Sequence, residues 1–181
     1  MSAAPSLIRA LDFSAVKAVV EAHDRYLGGR SGGKRANLTY VDLSNMDLGG
    51  CDLADADFTG ARLATTNLNG ANLKRANMFG CDLREADLRA ADLSQADLRG
   101  ACLRGANLAG ANLAGCDLRE GQIALQGGAQ AFRILKHERK AGELDYAVLQ
   151  GANLAGAQMT GAHAISADFT EANLSGACLN G

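Results

Sequence analysis

The 181-residue chain has no tryptophan and a single proline, and aromatics make up 4% of it, which excludes a thick core of interleaved large side chains. Its apolar content is mostly alanine and leucine, so the expected core is a narrow ladder. Long apolar runs are missing as well. Residues 1–10 carry none and residues 1–35 are dotted with charge, so the sequence predicts no secretory signal and no membrane span, and a soluble cytoplasmic protein is the expectation. The five cysteines fall into no CxxC or Cys/His spacing, which argues against zinc and against a disulfide framework; all five are expected as reduced structural thiols. His23, His137 and His163 are scattered, with no serine or cysteine placed to form a nucleophile–base pair. No catalytic residue, cofactor-binding residue or metal ligand is assigned, and the chain is read as a non-enzyme. A phosphate-binding loop fails too: residues 28–34 read GGRSGGK, but Arg35 stands where the pattern needs Ser or Thr.

What the chain does have is a period of five. Residues 81–120 read CDLRE ADLRA ADLSQ ADLRG ACLRG ANLAG ANLAG CDLRE. Each unit opens on a small residue, continues with a short polar one, places Leu at the centre and closes on two variable positions, the second often Gly. The frame covers eighteen units over residues 36–125 and eight more over 142–181. The second run is looser: GELDY and AVLQG are degenerate, and Ala164 stands where Leu is expected. No five-residue unit can bury its own Leu, so the units must stack into a solenoid. The chain divides into an N-terminal segment (1–35), a first run of coils (36–125), an excursion (126–141) and a second run (142–181).

Runs such as ADLRG ACLRG ANLAG ANLAG resemble the pentapeptide repeat family, whose unit is A(D/N)LxG. The resemblance implies an all-β fold, a right-handed quadrilateral parallel β-helix with four units per turn, so that residues twenty apart stack. One inward ladder is then Leu38, Phe58, Met78, Leu98 and Leu118; a second is Leu43, Leu63, Leu83, Leu103 and Ile123; Leu88 belongs to a third. First and central positions point inward, and each buried Leu contributes roughly 1.5–3 kcal/mol through its neighbours. Positions two, four and five point outward, where Asp and Asn are expected to be solvated turn formers.

The flanking segments carry the remaining signals. Ser14 followed by AVKAVVEAHDRYL and a Gly pair predicts a short N-terminal helix with Ser14 as its N-cap, capping the open first coil; residues 28–35 read as a flexible basic linker of charge +3. In the excursion, Arg133, Lys136, Arg139 and Lys140 against Glu138 give +3, whereas each run of coils sums to −4. These four basic residues are the candidate partner contact, on a segment expected to form a short helix or one arm of a hairpin. At the C-terminus the last coil would expose Phe169, Leu174 and Leu179, so either an end-to-end homodimer through that coil or continuation into a further domain is expected.

Two functions fit such a rod. It is a scaffold for protein–protein interaction with an unidentified protein partner, or it is a DNA mimic that binds a type II topoisomerase (gyrase), as the family's quinolone-resistance members do. A mimic needs a continuous negative face, since B-DNA carries a phosphate charge per ~1.7 Å of axis. Here Arg99 and Arg119 interleave the ladder of Asp57, Asn77, Asp97 and Asp117, and Arg62, Arg84 and Arg104 interrupt the next, which favours the scaffold. Direct nucleic-acid binding is not expected, because the body lacks net positive charge and exposed aromatics.

Overall fold

The computed structural model describes residues 8–121, 124–127, 131–134 and 142–180. Backbone pairing in the body repeats every twenty residues. Asn37 pairs in parallel with Asp57, Asp42 with Arg62, Asp47 with Asn67 and Asp52 with Asn72, and each line continues into the next coil. Four lines of pairing per coil make a four-sided parallel β-helix whose rungs are single residues.

The corners follow from one repeated turn. The Ala61 N–H donates to the Phe58 carbonyl at 2.8 Å, and the Ala91 N–H to that of Leu88 at 3.1 Å, so each turn spans from a central residue to the opening of the next unit. Its third residue is the fifth of the unit and has positive φ, as at Gly100 (66°). A turn of this kind requires φ above zero at that position, which is why the unit ends so often in Gly. Where Tyr40 (55°) and Glu85 (57°) take the place, each costs roughly 1–2 kcal/mol.

Central side chains fill the interior. Phe58, Met78, Leu98 and Leu118 lie on one ladder and Leu88 on another, all without exposed surface, beside first-position residues such as Ala76, Ala86 and Ala96. Small residues are needed there because they share the narrow bore with Leu. Thr66, also at a first position, is buried and donates its hydroxyl to the Leu43 carbonyl at 2.9 Å.

The column does not stop where the first run ends. The Leu103 N–H donates to the Glu143 carbonyl at 2.8 Å, and Cys102 pairs with Glu143. Leu144 is therefore the rung above Leu103, the place that the sequence frame gave to Ile123, which lies outside the described residues. Across this joint the pairing interval is 41 residues instead of twenty, as Asp117 with Gln158 also shows. Regular coils thus end at Glu120, and residues 121–141 are an insertion in an otherwise continuous column. In its described part, β3 (Ala124–Gly127) pairs antiparallel with β4 (Ala131–Ile134). Two buried glycines frame the insertion. A Cβ at Gly121 would lie 2.8 Å from the Arg99 carbonyl oxygen, and one at Gly142 would lie 2.7 Å from that of Leu118. The chain can leave and re-enter a closed column only where its backbone passes this close, so Ala gives way to Gly at both places.

At the other end, β1 (Arg9–Ala10) pairs in parallel with β2 (Val41–Asp42). Helix α1 (Phe13–Leu27) follows and contributes Val16 to the same apolar cluster as the coils. Its N-cap is Asp12, not Ser14: Asp12 Oδ1 accepts the Ala15 N–H at 2.7 Å and the Ser14 hydroxyl at 2.8 Å. Asp12 sits one residue before the first helical residue, where its carboxylate reaches an unpaired N–H, and Ser14 already lies inside the helix. Nor are residues 28–35 a free linker. Lys34 N–H donates to the Ala22 carbonyl at 2.9 Å, and a Cβ on Gly33 would fall 2.5 Å from the Tyr26 nitrogen, so the segment lies against the helix end.

Candidate interaction surface

Second-position side chains are occupied with their own backbone. Asp57 Oδ1 accepts the Thr59 N–H at 3.0 Å, Asp92 Oδ1 the Ser94 N–H at 2.9 Å and Asn173 Oδ1 the Ser175 N–H at 3.1 Å. The bond spans the inward Leu and supports the turn; Asp and Asn have the reach for it, and a longer Glu or Gln overshoots. The preference for Asp or Asn is therefore a hydrogen-bonding requirement, not merely a taste for solvent. On one face the amides also join neighbouring coils: Asn72 Nδ2 donates to Asp52 at 2.9 Å, Asn112 to Asp92 at 3.1 Å, Asn153 to Asn112 at 3.1 Å and Asn173 to Asn153 at 3.2 Å.

Arginines cancel much of the remaining charge. In the DLR units, Arg84, Arg89, Arg99 and Arg119 each grip the Asp two residues before through two hydrogen bonds of 2.6–2.9 Å. Arg75 holds Asp55 of the coil below in the same fashion at 2.7 and 2.6 Å. These bonds keep the carboxyls of Asp55, Asp87 and Asp117 below the usual range. Pairs this exposed contribute about 0–1 kcal/mol each, so their larger effect is on the surface field. Coils rise ~4.8 Å apiece, and an Asp matched by its own Arg leaves nothing like the phosphate density of a duplex.

Arg104 is the exception among these units, because Cys102 stands where its Asp would be. Its guanidinium lies over the Tyr146 ring, 5.6 Å from the centroid. The Cys102 thiol donates to Glu143 Oε2 at 3.3 Å; burial first, then this carboxylate, pushes it up to about 11. Burial pushes the Cys116 thiol up to about 12 and raises that of Cys81, which donates to the Phe58 carbonyl at 3.0 Å. All five cysteines are unpaired. None of these three is poised as a thiolate.

His23 carries a role that no sequence signal announced. It is fully buried; Nδ1 accepts the Ala36 N–H at 3.0 Å, so Nε2 bears the hydrogen and donates to the Ala54 carbonyl at 2.9 Å. Both partners are backbone groups, distant in the chain, which leaves no side-chain pattern to read. Of the four basic residues singled out in the excursion, Arg133 lies in β4 with its backbone opposite Leu125, while Lys136, Arg139 and Lys140 lie outside the described residues.

The repeat model described as pentapeptide repeats matches in eight copies, over residues 36–75, 56–95, 66–105, 81–121 and 143–181. The chain belongs to the pentapeptide repeat family. Its coils are accordingly those of a right-handed β-helix solenoid. Among solved structures, a pentapeptide repeat protein of the Arabidopsis thaliana thylakoid lumen is 32% identical over 66% of this chain, with a TM-score of 0.42. The match spans 65% of that protein, less than two thirds of its length. A pentapeptide repeat protein from Nostoc is 39% identical over 56% of this chain and 79% of its own, at a TM-score of 0.27. QnrB1, a plasmid-mediated fluoroquinolone resistance protein, is 21% identical over 80% of this chain and 68% of its own, at a TM-score of 0.44. No curated protein matches. The family match begins at residue 36 and is interrupted between residues 121 and 143, at the joint where Cys102 pairs with Glu143.

Proposed function

We propose that this protein is a non-enzymatic interaction module, a rigid scaffold that presents the insertion at residues 121–141 to an acidic surface on a partner protein. One observation carries the reading: the column passes from Cys102 to Glu143 without losing register. Removing 21 residues would restore the interval of twenty, so the insertion is not needed for stacking, and its charge of +3 stands out from coils that are net acidic. Helix α1 serves as the cap of the first coil, with His23 as its bolt. A cytoplasmic setting is part of this proposal, since five cysteines without the spacing of a disulfide framework are expected to stay reduced there. The gyrase-mimic reading is weaker, because four DLR units neutralise their own aspartates.

The test compares the full chain with a variant in which Glu120 is joined directly to Gly142. Both are immobilised and exposed to native cytoplasm, and captured proteins are quantified. A partner retained by the full chain and by neither the deletion nor a variant with Arg133, Lys136, Arg139 and Lys140 changed to Glu supports the reading. Equal capture by all three ends it. In a parallel supercoiling assay, stoichiometric inhibition of gyrase by the full chain would promote the mimic instead.

A further inference from the structure

The second run differs from the first in how it treats charge. Its carboxylates are Glu143, Asp145, Asp168 and Glu171, it contains no Lys or Arg, and among the described residues none of the four takes part in an ion pair. Large apolar side chains reach the surface in the same place. Tyr146 is 55% exposed and Ile165 is 60% exposed. They are neighbours on adjacent coils, for the Tyr146 N–H donates to the Ile165 carbonyl at 2.9 Å and the Ile165 N–H to Asp145 Oδ1 at 2.8 Å. Arg104 lies over the Tyr146 ring from the coil below. Around the corner, Val148 occupies a second position where the turn would normally call for Asp or Asn.

Each of these departures weakens the solenoid. Val148 forgoes the turn-supporting hydrogen bond, and Tyr146 accepts φ of 60° at a position suited to Gly. Together they build an aromatic–aliphatic step held on rigid backbone, and rigid aromatic anchors beside an apolar neighbour are the usual centre of an interface. Its surroundings then select the occupant. With Glu143, Asp145 and Asp168 in no ion pair and Arg104 the one guanidinium over the step among the described residues, a cationic surface is attracted and an anionic one repelled.

We propose that the corner formed by Tyr146 and Ile165 docks a cationic polypeptide segment, which lays an apolar side chain against these two residues and its Lys or Arg groups beside Asp145, Glu143 and Asp168. The surface is independent of the insertion: it is built wholly from residues 104 and 143–168, and its occupant has the opposite charge to the one the insertion would meet. A scaffold with both would hold an acidic and a basic partner on one rod.

The test uses three fluorescein-labelled twelve-residue peptides with the full chain, read by anisotropy: alternating Lys and Leu, alternating Lys and Gly, and alternating Glu and Leu. The Lys/Leu peptide is expected to bind about tenfold more tightly than Lys/Gly, and Glu/Leu not to bind. Y146S and I165S, both at exposed positions, should each weaken the Lys/Leu peptide by about tenfold. D145N keeps the acceptor for the Ile165 N–H and should flatten the salt dependence of binding. Equal binding of Lys/Leu and Lys/Gly, or no effect of either serine variant, overturns the proposal. So does binding seen only after residues 121–141 are removed, which would make the chain's own insertion the occupant. Self-association in sedimentation that I165S abolishes would assign the corner to a second copy, and the proposal would equally fall.

Discussion

The two runs of coils share one core and differ in their skin. In residues 36–120, fifteen of seventeen second positions are Asp or Asn, and only Arg62 and Cys102 depart; in residues 142–181 three of eight conform. The first run therefore closes nearly every turn with a side-chain bond and pairs many of its aspartates with arginine. The second gives up most of those bonds. Inside, the first coil of the second run matches the first run: Leu144, Leu149 and Leu154 are as completely buried as Leu103, Leu108 and Leu113 beneath them, whereas in the coil above Ala164, Phe169 and Leu174 are half-buried and Leu179 is exposed. Stacking depends on the central and first positions, and the second position adds local turn stability that can be exchanged for other uses. An exposed Tyr146 and Ile165 and a half-buried Val148 are what the second run has in exchange.

The largest effect should come from the shared core. Leu88→Lys would place a charge where no polar partner exists and is expected to abolish folding of both runs together, seen as loss of soluble protein and of the cooperative melting transition. Soluble protein with an unchanged melt would show that the column is not one cooperative unit. The next prediction separates the skins. Asn112 accepts from the Ala114 N–H and Asn153 and donates to Asp92, so Asn112→Ala should cost about 1–2 kcal/mol in urea unfolding. Gln158→Ala, at a second position with no such turn bond, should stay within about 0.5 kcal/mol. Equal losses at the two sites would remove the distinction between the runs.

Acid should sharpen the same contrast. Because arginine bonds hold the carboxyls of Asp55, Asp87 and Asp117 below their unfolded values, the stability they add is complete above about pH 4 and is lost as pH falls through their folded values. The melting temperature should be level from neutral pH to about pH 5 and decline below about pH 4. Hydrogen exchange should locate the first losses in the Arg-paired coils; a decline that begins in the second run would contradict this. The smallest effect belongs to Asp87→Asn. Asn keeps the acceptor for the Arg89 N–H and loses only an exposed ion pair, so the change in stability should lie within about 0.5 kcal/mol by calorimetry.

A strict period was legible because each unit repeats the same local demands: a small residue and a Leu for the bore, Asp or Asn for the turn bond, Gly for positive φ. Those demands act within five residues and are written into every copy. The family was legible from them, and the resemblance to that family implied the stacking interval of twenty and the inward ladder through Phe58, Met78, Leu98 and Leu118. What the period could not show was where it ceases to apply. GQIAL at residues 121–125 fits the unit as well as GELDY does, and only the pairing of Glu143 with Cys102 shows that GELDY occupies the rung. That choice is made by hydrogen bonds to the coil below, which local composition does not encode.

Sequence by itself determined that this chain is a solenoid of small corners with a leucine bore, because a five-residue unit cannot fold without its neighbours and every neighbour is nearly the same. Tertiary structure alone decided the junctions: Asp12 as the helix cap, His23 tied to Ala36 and Ala54, the glycine pair through which the insertion leaves and returns, and the meeting of Arg104, Tyr146 and Ile165 on one corner. Each of these rests on contacts made once, between groups that no repeat brings together, and their geometry exists only after the coils have closed.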